Sequence, residues 1–192
     1  MPLQNRVLPT GEIVADAARG MFTGNRGCLH DDQRQLGRAR WKGRAWIICA
    51  LEYKGWQRVV MTPRSWTELF FLDEAVALAA GHRPCALCRR GAYQAFQAAF
   101  GGAKAGLMDA VLHEARLDGR GQRRHRAAME GLPDGVFVQV GGQAHLVRGA
   151  EIWSYVPAGY GRPFPRFQGE VTVLTPEPTV AALRAGYVPV MA

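Results

Sequence analysis

The chain has 192 residues, 48% of them hydrophobic, with five Trp and eight Phe, enough apolar material for one or two domains with a real core. No apolar run approaches the ~20 residues that span a bilayer, and the opening MPLQNRVLPTGEIV lacks the basic-then-apolar order of a secretion signal, so a cytoplasmic protein with no membrane role is expected. Four cysteines in a reducing compartment argue against a disulfide framework and toward metal binding or chemistry. A net charge of +8, from 24 basic and 16 acidic residues, favours an anionic partner, nucleic acid first, with a merely solvated basic surface as the plainer alternative. The GxxxxGK[ST], GxSxG and HExxH patterns are all missing, which removes the usual support for nucleotide hydrolysis, serine hydrolysis and zincin proteolysis.

In chain order, residues 1–20 alternate turn signals with short apolar pieces and read as an ordered, irregular arm. From Met21 to Asp32, glycines surround Cys28 and His30, implying a tight turn that aims both side chains together. Residues 34–44 then place Arg34, Arg38, Arg40, Lys42 and Arg44 around Trp41, a pattern in which the cations can meet phosphates while the indole stacks on a base. Ala45 to Tyr53 reads as a strand, and Lys54-Gly55 turns it into a second strand from Trp56 to Met61, so a hairpin is expected. Cys49, mid-strand, reads first as a small core residue.

Glu68 to Arg90, ELFFLDEAVALAAGHRPCALCRR, holds a strand, a short helix and a two-cysteine knuckle. Asp73 can cap a helix over 74–80, Gly81 can end it in a left-handed turn, and Pro84 keeps Arg83 extended. Two residues separate Cys85 from Cys88, which lets both sulfurs face one tetrahedral ion and makes half of a zinc site. Cys28 and His30 are the best free pair for the other half, with Cys49 the substitute should His30 not bind. Arg83, Arg89 and Arg90 beside the knuckle would favour thiolates and could contact phosphates.

This stretch resembles the second half of the Ada-type zinc-binding module, the metal domain of the bacterial methylphosphotriester repair proteins. The match rests on Phe70 or Phe71 in the strand, Ala79-Ala80-Gly81 at the helix end, and Arg83-Pro84-Cys85 with Cys88. It covers about a tenth of the chain. The resemblance implies bound Zn2+ and a role with DNA before RNA, in repair or modification. The family's first ligand pair, two cysteines with three residues between them, has no counterpart here.

Further on, Tyr93, Phe96 and Phe100 fall at helical spacing and mark a core stripe. A second helix over 104–117 is expected to bury Leu107, Met108, Val111, Leu112 and Ala115, leaving Asp109, His113 and Glu114 outside as either an ordinary helix pair or an acid/base site. Such a site would make the protein a hydrolase acting on nucleic acid or a nucleotide; a zinc-stabilised protein-interaction module without chemistry is a further alternative. Residues 118–126, DGRGQRRHR, read as a mobile loop whose Arg123 and Arg124 could bind phosphate. From 132 onward the texture is β-rich: a hairpin around Gly141-Gly142, a strand over 152–156, a Pro- and aromatic-rich loop over 157–167, a strand over 171–175 and a short helix over 180–184 stopped by Gly186. The expected fold is α+β, a zinc-knuckle half with hairpin and helices (1–131) followed by a small antiparallel sheet or half-barrel (132–192), packed as one unit.

Overall fold

The computed structural model describes residues 1–55 and 59–192. It is a mixed α+β structure with two six-stranded sheets and four α-helices among these residues. The expected hairpin partner strand from Trp56 to Met61 falls partly outside the described residues.

The first sheet is built from β1 (Gln4–Val7), β2 (Ile13–Ala15), β3 (Phe22–Asn25), β4 (Ile47–Ala50), β5 (Leu69–Phe71) and, after helix α1 (Glu74–Ala79), β6 (Arg83–Pro84). Their order is β2-β1-β5-β3-β4-β6. The N-terminal arm is therefore not irregular: β1 and β2 pair antiparallel across a turn in which Gly11 has φ +82°. The glycine-bearing stretch after Met21 begins as a strand, and β4 pairs antiparallel with that strand, β3, and parallel with β6.

Helix α1 forms as the sequence predicts. The Asp73 carboxylate accepts a hydrogen bond from Val76 N at 2.9 Å, and Gly81, at φ +84°, turns the chain out of the helix. All six of its residues are buried, because it touches both β5 of the first sheet and the strand Phe137–Val140 of the second.

Helices α2 (Arg90–Ala99) and α3 (Ala105–Arg116) follow. Phe96 is fully buried, with Tyr93 and Phe100 packed against the core. The buried face of α3 differs from the one expected. Leu107 and Val111 are exposed, and Met108, Asp109, Leu112 and Arg116 turn inward. Two of these four are charged, and both find partners inside that a solvent-facing position would not supply.

The segment expected to be a mobile basic loop is ordered: β7 (Leu117–Asp118) and β8 (Gly121–Gln122) form a tight hairpin, and β9 (His125–Ala128) starts the second sheet ahead of residue 132. With β10 (Phe137–Val140), β11 (Gln143–Arg148), β12 (Glu151–Val156), β13 (Gly159–Pro165) and β14 (Glu170–Val173) this sheet is antiparallel throughout, in the order β13-β12-β11-β10-β14-β9. The Gly141-Gly142 hairpin is present, with φ +57° and +82° at the two glycines. The Pro- and aromatic-rich stretch is a strand, not a loop. Pro163 and Pro165 are tolerated because β13 is an edge, where a missing N–H breaks no ladder on the open side.

Helix α4 (Glu177–Arg184) packs on α2 and α3, and the chain then returns to α1. Buried Glu74 accepts from Tyr187 Oη at 2.6 Å and from Val190 N at 3.0 Å, while Asp73 accepts from Tyr160 Oη at 2.6 Å and from Ala192 N at 3.0 Å. One continuous apolar core links both sheets and all four helices.

Candidate metal centre and a buried arginine pair

Cys49, Cys85 and Cys88 bring their sulfurs within 4.8 Å of one another, a group that could hold a metal ion. The parallel pairing of β4 with β6 sets this up: Ile48 is in register with Pro84, and Cys85 N donates to Ile48 O at 2.9 Å, so Cys49 within β4 and Cys85 just after β6 are brought together. The turn after β6 then folds Cys88 back. Leu87 N donates to Cys85 Sγ at 3.4 Å and Arg89 N to Cys85 O at 3.2 Å. Hydrogen bonds from the Cys49 and Cys88 thiols, with the Leu87 and Cys88 amides, hold the Cys85 thiol far below its ordinary range. Cys49, which donates to both partners from a buried position, is pushed up.

Cys28 and His30 are not part of this group. His30 is buried with both ring nitrogens engaged: Nδ1 lies 2.6 Å from Thr67 Oγ1 and Nε2 3.2 Å from Thr62 O. Cys28 Sγ lies 3.7 Å from the His30 carbonyl oxygen. The turn does aim these two residues inward, but toward Thr67 and its own backbone. Cys49, read from its apolar strand as a core residue, is the third member. No fourth His, Cys, Asp or Glu joins the group among the described residues, and residues 56–58 are Trp, Gln and Arg. The sulfurs border an open groove of about 980 Å³ that also carries Arg19, Tyr53, Lys54, Trp66 and Phe70.

The helix-face site is dismantled by burial. Both carboxylate oxygens of Asp109 are held by Arg83, from Nε and Nη2, each at 2.7 Å, a bidentate and almost fully buried pair. His113 Nδ1 instead accepts from Arg116 Nη2 at 2.8 Å, and burial with the charges of Arg116 and Arg44 lowers its pKa. Glu114 is exposed. Asp109 and His113 therefore serve different partners and make no joint acid/base pair.

The basic residues divide the same way. Arg83 is committed to Asp109, and Arg89 donates to Glu74 at 2.6 Å while lying over the Phe22 ring. Neither is free for phosphate. Arg38, Arg40, Lys42, Arg90, Arg123 and Arg124 are exposed, and Trp41 is half-buried with its ring 5.9 Å from Trp46. Arg40, Arg123 and Arg124 make bonds to Gly37 O, Leu117 O and Gln139 Oε1 that leave most of each guanidinium open.

Sequence reading missed a second cluster. The guanidinium carbons of Arg26 and Arg116 lie 4.0 and 3.9 Å from the centroid of the buried Trp46 ring. Arg26 Nε donates to Nε2 of buried His82 at 3.2 Å and Nη1 to Gly11 O at 2.9 Å. Arg116 donates to Gly81 O and Arg44 O at 2.8 and 2.7 Å. Neither arginine has an ion pair among the described residues. Burial, then the charge of Arg116, pulls Arg26 down to about 9; burial pulls Arg116 down to about 9 against the opposing influence of Asp109. His82 is driven well below its usual value by burial and by the two arginines. No local sequence signal marks this cluster; Gly81, legible in sequence only as a helix stop, also leaves no room for a Cβ, which would lie 2.5 Å from Arg116 Cδ.

The chain matches no family model, no curated protein and no solved structure. Its functional reading rests on the site itself.

Proposed function

We propose that the protein binds zinc through Cys49, Cys85 and Cys88 and associates with nucleic acid, DNA before RNA. The observation that carries this is the convergence of three thiols within 4.8 Å from strand β4 and the turn after β6. Tetrahedral zinc with Zn–S bonds of ~2.3 Å needs sulfurs ~3.8 Å apart, and soft thiolates without carboxylates favour zinc over harder cations. The Leu87 amide that donates to Cys85 Sγ fits a thiolate at that position. A zinc ion held by Cys49, Cys85 and Cys88 would keep one position for a small ligand, and the three residues line the groove from which such a ligand would come. Bound there, the metal would supply Lewis acidity and an activated thiolate. The groove's Arg19 and Lys54 would meet phosphate, and Tyr53 and Trp66 would stack on bases.

The exposed cations Arg38, Arg40, Lys42, Arg90, Arg123 and Arg124 extend that reading across the surface, and the net charge of +8 supports it. The Ada resemblance points to DNA repair or modification as the setting. A hydrolase built on Asp109, His113 and Glu114 is disfavoured by the Arg83–Asp109 pair.

Elemental analysis of protein purified reduced, without added metal, tests the centre. About one zinc per chain is expected in the wild type and in Cys28→Ser, and loss of it in Cys49→Ser. Retention of full stoichiometry in Cys49→Ser would overturn the ligand set. For the partner, affinity for a DNA duplex or single strand should fall steeply with salt; affinity independent of salt would remove nucleic acid from the reading.

A further inference from the structure

A cleft of about 430 Å³ lies over the buried arginine pair, in the range of small-molecule sites. Arg26, Arg40, Arg116 and Arg120 line it, with Trp41 and Gln122 beside them and Glu12 the one carboxylate on its wall. Glu12 is exposed and accepts from Thr10 Oγ1 at 3.0 Å, so it does not neutralise the interior. Arg26 is 2% exposed, yet its Nη2 has no hydrogen-bond partner; Arg116, also 2% exposed, leaves its Nε unpartnered. Gln122 spends its amide NH2 on Pro9 O, Ala79 O and Leu174 O and leaves its buried Oε1 unpartnered.

Two desolvated cations against one indole, neither bonded to a carboxylate, are costly, and a buried donor left unmade costs more than the bond would return. His82 offers no counter-charge, since its Nδ1 donates to Ala77 O and its Nε2 accepts from Arg26. An anion from outside would complete the charge balance of the interior. Guanidinium groups match a tetrahedral oxyanion, and the unpartnered Gln122 Oε1 is an acceptor for an O–H or N–H on the rest of the same ligand.

We propose that this cleft binds a phosphate monoester, with Arg26 and Arg116 on the phosphoryl oxygens, Arg40 and Arg120 at the rim, and Gln122 on the organic part. The volume accommodates one nucleotide unit, and Trp41 offers its ring to a base. The phosphate comes either from a free nucleoside monophosphate or from the phosphorylated end of a strand. The site stands apart from the three cysteines and does not depend on a metal there.

Thermal unfolding of the full chain in inorganic phosphate, compared with sodium chloride at matched ionic strength, tests the idea. The expected result is a saturable rise in Tm specific to phosphate. Arg26→Met should weaken phosphate at least tenfold. Because that change also removes bonds to Gly11 and His82, Arg120→Ala at the exposed rim provides the second test: threefold or more weaker binding with an unchanged Tm in chloride. Calorimetry with a nucleoside 5′-monophosphate, and with an oligonucleotide bearing either a 5′-phosphate or a 5′-hydroxyl, separates the two sources; tighter binding of the monophosphate indicates the free nucleotide, and a preference for the phosphorylated over the hydroxyl end indicates the strand. No phosphate-specific rise in the wild type, or unchanged phosphate affinity in both variants, overturns the site. Zinc content measured on the same samples keeps this outcome separate from that of the metal centre.

Discussion

Arg83 and Asp109 show how one contact decides what a residue is for. On a helix surface Asp109 would be an acid/base candidate; facing Arg83 through two bonds of 2.7 Å it is half of a buried ion pair. Removing one partner strands the other charge, so Asp109→Ala should destabilise the fold by ~3–5 kcal/mol in urea unfolding. A change below ~0.5 kcal/mol would show the pair is not buried in solution. His82 makes a second residue-level prediction. Its ring faces Arg26 and Arg116 and packs near Trp46 and Phe71, and its folded pKa lies well below the unfolded value of about 6.5. Above pH 6.5 the group is neutral in both states and costs nothing. As the pH falls below 6.5 the unfolded chain takes up a proton that the folded one refuses, so stability drops by up to ~1.4 kcal/mol per pH unit until the folded pKa is reached. His82→Gln should flatten that part of the pH–stability curve, and an unchanged slope would assign the acid sensitivity to other groups.

Among the elements, α1 carries the most. It is short, and helices of this length are not stable alone; its persistence comes from packing against a strand of each sheet and from the Asp73 cap. Gly81 ends it at φ +84°, and Arg116 Cδ lies 2.5 Å from where a Cβ would be. Gly81→Ala adds both backbone strain and a clash, and a loss of more than ~1 kcal/mol is expected in chemical denaturation. An unchanged midpoint would mean that Arg116 moves aside at no cost. Helix α3 illustrates the opposite case. Its most apolar stripe is not its buried stripe, because Asp109 pairs with Arg83 and Arg116 donates to backbone carbonyls inside while Leu107 and Val111 remain in water.

For the whole molecule, the tail after α4 closes the structure onto α1. Glu74 and Asp73 are buried carboxylates, and Tyr187, Val190 and Ala192 supply three of their donors. Deleting residues 187–192 leaves Glu74 with Arg89 and Asp73 with Tyr160 and Val76, and each lost bond to a charged group is worth ~1.5–3 kcal/mol. The truncated chain should unfold at least several degrees earlier. An unaltered Tm would show that the tail is a passenger. No helix among the described residues is long and apolar enough to cross a membrane.

The sequence by itself determined what short-range chemistry controls. The capped helix α1 with its glycine stop, the Cys85–Cys88 knuckle, the Gly141-Gly142 hairpin and the mixed α+β character all follow from residues a few positions apart, where backbone torsion and capping leave few alternatives. Tertiary structure alone decided the rest. Cys49 rather than Cys28 or His30 meets the knuckle because β4 and β6 pair in one particular parallel register, which no local spacing encodes. Arg26, Trp46, His82 and Arg116 meet from four separate segments, and a buried unpaired cation looks in sequence like any surface arginine. Long-range pairing and desolvation act between residues distant in the chain, so they become visible only when the chain is folded.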